Sequence, residues 1–194
     1  MAKLLRPFAG DDAEAAAGRL IERFGGLGRA LAASPDQLTD ALEGDRTLAE
    51  TLAASRALAE AGLREEIARA RVATDDPNFH DYLRLLIGKR ATECLHATFV
   101  AHDWGYLGDA QIAEGTTGQV EGSLRLLLLR AFEIGAHGII LAHNHPSQSA
   151  EPSAADVALT RRIAALTQSV GIPLLDHLVV SGQAVVSMRE RGLL

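Results

Sequence analysis

Apolar and polar positions along the chain fall into two regimes. Up to about residue 74 the sequence is rich in alanine and leucine and poor in β-branched residues, which predicts a series of short helices. Residues 13–24 carry apolar side chains at helical spacing, and Gly25-Gly26 predicts where that helix stops. Ser34-Pro35-Asp36-Gln37 reads as a helix start, with a serine cap, proline at the first helical position and glutamine at the third. Residues 47–72 predict one long helix or two, with Gly62 the expected break. Asp75-Asp76-Pro77-Asn78 marks the expected domain boundary, and Pro77 opens a helix through about Gly88. The period then changes. Ala97-Thr98-Phe99-Val100, within residues 93–102, predicts a strand, Asp103-Trp104-Gly105 a turn, and residues 106–113 a second strand. Residues 124–134 read as an apolar helix, 138–142 as a buried strand, 153–170 as a helix, and 174–181 with 184–187 as paired strands around Gly182-Gln183. The order α-β-β-α-β-α-β-β predicts an α/β domain over residues 75–194, a mixed sheet flanked by helices, preceded by a small helical region over residues 1–74.

Composition narrows the function classes. The 194 residues are 47% hydrophobic and 23% charged, as in an ordinary globular protein, and the net charge of −6 gives no reason to expect tight binding to a phosphate backbone. The first 74 residues hold ten basic against twelve acidic side chains, so they are no basic arm. Cys94 is the sole cysteine, which excludes an internal disulfide and a multi-cysteine zinc site and suits a reducing, cytoplasmic setting. No signal peptide is read at the start. The longest later apolar run, residues 126–129 between Arg125 and Arg130, is far too short to span a bilayer, so no membrane role is expected.

Candidate chemistry collects at the end of the predicted strand 138–142. His143 and His145 are two apart, and in extended backbone such residues face the same side, so both imidazoles can reach one ion while Asn144 faces away. Pro146 fixes the backbone direction as the chain leaves the strand, and Asp156 lies one turn into the following helix, where a carboxylate can return as a third ligand. Two histidines, an aspartate and an open position suit a catalytic zinc. Spacing alone leaves a second reading open, because Ser153-Ala154-Ala155-Asp156 is also a helix-capping signature.

The run Ile139-Ile140-Leu141-Ala142-His143-Asn144-His145-Pro146-Ser147, followed by Pro152-Ser153 and Asp156, resembles the metal motif of RadC-family proteins, which belong to the JAB/MPN class carrying the JAMM metalloprotease motif. The resemblance extends through Thr160, Gly171-Ile172 and Leu175-Asp176-His177-Leu178, and back through Arg125, Gly115-Thr116 and Glu93. It implies a JAB/MPN fold with layering like that of cytidine deaminases. It further implies one zinc ion per chain on His143, His145 and Asp156, with Glu93 as general base on the water that zinc activates and Ser153 as donor to the tetrahedral oxyanion. The activity implied is hydrolysis of a peptide or isopeptide bond in a peptide or protein substrate. Another amide as target, or a DNA-repair-associated accessory module with a structural or vestigial metal site, are the alternatives.

Two positions depart from the family pattern. Gln148 stands where the family has glycine, and Leu124-Arg125-Leu126 keeps only the arginine of a Pro-Arg-Glu stretch. Asp176-His177 is expected to support the site or the fold rather than ligate metal. His80, His96, His102 and His137 lack partners at metal spacing, and Cys94 is expected to be a small buried hydrophobe. The helical region resembles the segment that precedes the RadC catalytic domain, itself related to helix-hairpin-helix modules, with Phe24-Gly25-Gly26-Leu27-Gly28 and the spacing to Arg64 in register. Its hairpin glycine is reduced to Gly44 between Glu43 and Asp45, an acidic setting that repels phosphate and reads as a structural remnant. Oligomeric state is not legible.

Overall fold

The computed structural model describes residues 1–115 and 120–194, so Thr116 of the motif stretch lies outside the described residues. The chain divides into two compact units, Met1–Gly62 and Leu63–Leu194.

The first unit is helical. α1 (Ala2–Ala9) leads through a short 3-10 turn into α2 (Ala13–Phe24), followed by α3 (Leu27–Ala32), α4 (Pro35–Ala41) and the start of α5 (Arg46–Ala68). Gly25 ends α2 in the left-handed conformation that glycine adopts without a steric cost. Ser34 and Gln37 close a reciprocal capping box on α4, as the sequence predicts. Alanines 16, 17 and 49 let the helices approach closely around Leu5, Leu20, Leu38 and Leu42. The α4–α5 turn passes Glu43 and Gly44, both at positive φ, and Asp45 then caps α5 by accepting the Leu48 N–H at 2.9 Å. Of the two readings of this stretch the single long helix holds: α5 runs unbroken through Gly62 over 23 residues. One glycine costs a helix only about 1 kcal/mol relative to alanine, and the alanine, leucine, glutamate and arginine residues around it are strong helix formers.

The second unit has the predicted order. α6 (Pro77–Leu86) is capped by the Asp76 carboxylate and carries proline in its first turn. β1 (Cys94–Val100), β2 (Tyr106–Glu114), α7 (Val120–Glu133), β3 (Gly138–Asn144), α8 (Ala154–Ser169), β4 (Leu174–Val180) and β5 (Val185–Ser187) follow. The five strands lie in the order β2-β1-β3-β4-β5, and β3 pairs antiparallel with β1 and parallel with β4. A parallel pair needs a long crossover, which α8 supplies. β3 is central and buried along its whole length, which explains its unbroken apolar run Gly138-Ile139-Ile140-Leu141-Ala142. Phe79, Tyr82, Leu83 and Ile87 cover one sheet face over Cys94, Val100, Ile140 and Leu178. Leu127 and Ala131 of α7 and Ile163 of α8 cover the other over Ala97, Phe99 and Leu141. Among the described residues no helix is long and apolar enough to cross a membrane.

Candidate metal centre

The site sits where β3 ends and α8 begins. His143 faces the α8 side, because Leu141, two residues earlier, packs in the α7/α8 layer and alternation repeats every second residue. His145 follows on the same side. Asp156 is the third residue of α8, and its carboxylate returns to accept the Ser153 N–H at 2.7 Å while Ser153 Oγ accepts the Asp156 N–H at 3.2 Å. The capping box and the ligand arrangement, open alternatives in the sequence, therefore coexist in one motif.

The three side chains converge. His143 Nε2 and His145 Nε2 are 3.0 Å apart, His145 Nε2 is 3.2 Å from Asp156 Oδ2, and His143 Nε2 is 3.3 Å from Asp156 Oδ1. One donor atom from each lies within 4.8 Å of the others, a group able to hold a metal ion. Bonds of about 2.0–2.2 Å in a tetrahedral zinc site imply ligand separations of roughly 3.3 Å, so the residues fit that ion. His143 and Asp156 are buried and His145 half-buried, which leaves the opening on the His145 side. Burial by itself would raise the Asp156 pKa. The neighbouring His143 ring and the bonds from Ser153 outweigh it and hold the carboxyl well below the usual carboxylate range.

Neighbouring residues support this group. His143 Nδ1 meets His177 Nε2 at 2.8 Å, and His177 Nδ1 meets Thr160 Oγ1 at 2.6 Å. Burial pushes His177 well below its ordinary pKa, so it is neutral. Asp176, adjacent in sequence, points elsewhere and ties β4 to the chain around β5 through Ser187 Oγ at 2.7 Å and the Arg189 N–H at 3.1 Å. Asn144, between the two histidines, faces the opposite layer and is fully buried. Its Oδ1 accepts the Cys94 N–H at 2.9 Å, and its Nδ2 reaches Thr92 O at 3.1 Å and Arg90 O at 3.3 Å. Asn144 thus pins the segment that carries Glu93.

Glu93 lies one residue before β1. The β1–β3 register pairs Leu95 with His143, the last pair of that ladder, and Glu93 and His145 each lie just beyond it. The Glu93 carbonyl accepts the Gly115 N–H at 2.8 Å. The cap Ser153 is exposed, and its hydroxyl lies against the Asp156 main-chain amide and carboxylate. The remaining histidines stand apart. His80 Nε2 bonds Thr74 O at 2.7 Å, His96 is buried near Asp109, and His102 and His137 face each other on the surface. Cys94 is buried, and burial pushes its thiol up to about 11, so it carries no thiolate at neutral pH.

The model of the RadC-like JAB domain matches residues 74–193, taking in both site-bearing elements and the whole sheet. The chain belongs to the RadC family. A UPF0758 protein of Bordetella petrii is 35% identical over 91% of this chain and 78% of its own length. UPF0758 proteins of Rhodobacter capsulatus and Neisseria meningitidis serogroup B are 32% and 33% identical, over 98% and 90% of the chain and 89% and 78% of their own lengths. The glycine of the RadC pattern that Gln148 replaces has a conformational reason. Gln148 adopts φ 63, the left-handed region that favours glycine, and its Oε1 accepts the Gly182 N–H at 3.3 Å.

Proposed function

We propose that this RadC-family protein is a zinc-dependent hydrolase of peptide or isopeptide bonds. The observation that carries the proposal is the convergence of His143 Nε2, His145 Nε2 and the Asp156 carboxylate at separations of 3.0–3.3 Å. Zinc bound there supplies Lewis-acid polarisation of a water and of the scissile carbonyl. The chain's own residues then divide the remaining work. Glu93 takes the proton from the attacking water, a step worth roughly 10²–10⁴ in rate, and later delivers it to the leaving nitrogen. Ser153, held at the start of α8 by its capping bonds with Asp156, turns its hydroxyl to the developing oxyanion. The half-buried position of His145 leaves a side from which an extended substrate can approach. A polypeptide partner is favoured over nucleic acid. Glu43 and Asp45 flank Gly44, and the Asp45 carboxylate accepts the Leu48 N–H at the start of α5, so acidic groups stand where the α4–α5 hairpin would meet a phosphate.

The test loads purified protein with zinc, counts the metal by elemental analysis, and follows cleavage of fluorogenic peptide and isopeptide substrates. About one zinc per chain and chelator-sensitive cleavage are expected. Glu93→Gln should keep the metal and lose at least about 100-fold in rate. Zinc retained by the His143→Ala/His145→Ala double variant would overturn the ligand assignment, and an undiminished rate in Glu93→Gln would remove that residue from the mechanism.

A further inference from the structure

The hydrogen bonds behind His143 admit a single placement of protons. Thr160 is in α8 and has one hydroxyl proton. Its Oγ1 lies 2.6 Å from the Asp156 main-chain carbonyl, which can only accept, and 2.6 Å from His177 Nδ1. A weak contact to Met188 Sδ at 3.6 Å does not compete. If Thr160 gave its proton to His177, two oxygens would face each other at 2.6 Å with no hydrogen between them. Thr160 therefore donates to the Asp156 carbonyl, and His177 Nδ1–H donates to Thr160. His177 Nε2 is left as an acceptor, so at 2.8 Å the proton must sit on His143 Nδ1. The His143 Nε2 lone pair then points at His145 and Asp156.

We propose that Thr160 and His177 form a buried relay that fixes the tautomer of His143, presetting its Nε2 as a metal ligand. Both are positioning residues. The inference rests on the metal reading of the site for its purpose, but not for its geometry. His177 and Thr160 are 1% and 0% exposed, so no water competes for these bonds. The relay joins β3, β4 and α8, and its two ends lie on two of the candidate ligand residues: the main-chain carbonyl of Asp156 and the ring of His143. With Nδ1 turned to His177, His143 Nε2 faces Asp156 Oδ1 at 3.3 Å, a separation that fits a metal ion held between them. Partners behind ligating histidines are most often carboxylates or carbonyls. A neutral imidazole in that place orients the ligand without adding negative charge.

Two measurements test the relay. Long-range proton–nitrogen NMR of the metal-free protein reads the His143 tautomer directly, and Nδ1–H is expected. An Nε2–H tautomer would overturn the proposal whether or not zinc binds. Zinc affinity by chelator competition is the second readout. His177→Leu should weaken binding roughly 10–100-fold, and His177→Gln, whose carbonyl can take the place of Nε2, should restore most of it. Thr160→Val should shift affinity in the same direction, with the fold monitored by circular dichroism, and it carries the test if His177→Leu does not fold. Wild-type affinity in folded His177→Leu or Thr160→Val refutes the relay. Failure of the wild-type protein to bind zinc instead refutes the reading of the site, while the tautomer still decides the relay.

Discussion

Asp109 on β2 is the centre of a second buried polar cluster, and neutralising it should cost this unit about 2 kcal/mol. One carboxylate oxygen, Oδ2, accepts from Tyr82 Oη at 2.7 Å, from Tyr106 Oη, and from Arg64 Nε at 3.1 Å. His96 Nε2 lies 3.3 Å from Oδ1 but finds no hydrogen-bond partner among the described residues. Asp109→Asn keeps the volume and one acceptor oxygen. The two tyrosine bonds fall from the charge-assisted range of about 1.5–3 kcal/mol towards about 1 kcal/mol each. Arg64, with its side chain 42% exposed, adds no more than a surface pair, a few tenths of a kcal/mol to about 1. Urea unfolding followed by the fluorescence of Trp104, the sole tryptophan, reads this unit. The pH dependence fixes the cause. Burial would raise the Asp109 pKa, but the contact with His96 and the hydroxyls of Tyr106 and Tyr82 outweigh it and hold the group well below the usual range. A depressed folded pKa means the contribution is complete above about pH 4 and is lost as pH falls further. The gap between wild type and Asp109→Asn should therefore be constant from neutrality to about pH 5 and shrink below about pH 4. A gap under about 0.5 kcal/mol at pH 7, or one that persists unchanged at pH 3, would refute the argument.

Further predictions concern the metal, the turn after it and the long helix. At free zinc about 100-fold above its Kd, the folded protein should gain about 2.7 kcal/mol, seen as a rise in Tm of roughly 5–10 °C that a chelator reverses. No rise is expected for His143→Ala. Gln148→Gly relieves the left-handed residue and forfeits the bond to Gly182, so it should leave Tm nearly unchanged. Gln148→Ala keeps the strain, loses the bond and should be destabilised by about 1 kcal/mol, and the reverse ranking would show that φ is not the constraint. Gly62→Ala, in open space within α5, should stabilise by about 0.5–1 kcal/mol, and destabilisation would contradict the unbroken helix.

What the sequence made legible was local. The capping signals at Ser34 and Ser153 are contained within four residues, and both form as read. The apolar run 138–142 followed by His143-Asn144-His145 places two side chains on one face by alternation alone, and Asp156 falls within reach because the next helix begins close by. What escaped depends on distant pairing. Thr160 and His177 are 17 residues apart and meet only because α8 packs on β4. Tyr82, Asp109 and Arg64 come from three elements, and nothing in their spacing announces a shared bond. Glu93 enters through the family resemblance alone, and the β1–β3 ladder ends two residues short of it, at Leu95. The choice between one helix and two at Gly62 falls to one because helix propensity is summed over a window, and one unfavourable residue does not outweigh its neighbours.

The end of β3 at Asn144 separates the fates of the two histidines in time. His143 is inside the ladder, with strand partners on both sides and a buried ring bonded behind it. Its amide should exchange with solvent only when the whole unit opens. His145 lies past the last paired residue and is half-buried, so its excursions are those of a loop, fast and local. One histidine keeps the clock of global unfolding and the other that of a surface turn. Loosening of the site therefore starts at His145, and mutations in the loop from Pro146 onward should change how quickly the centre exchanges its occupant while leaving the equilibrium stability of the sheet untouched.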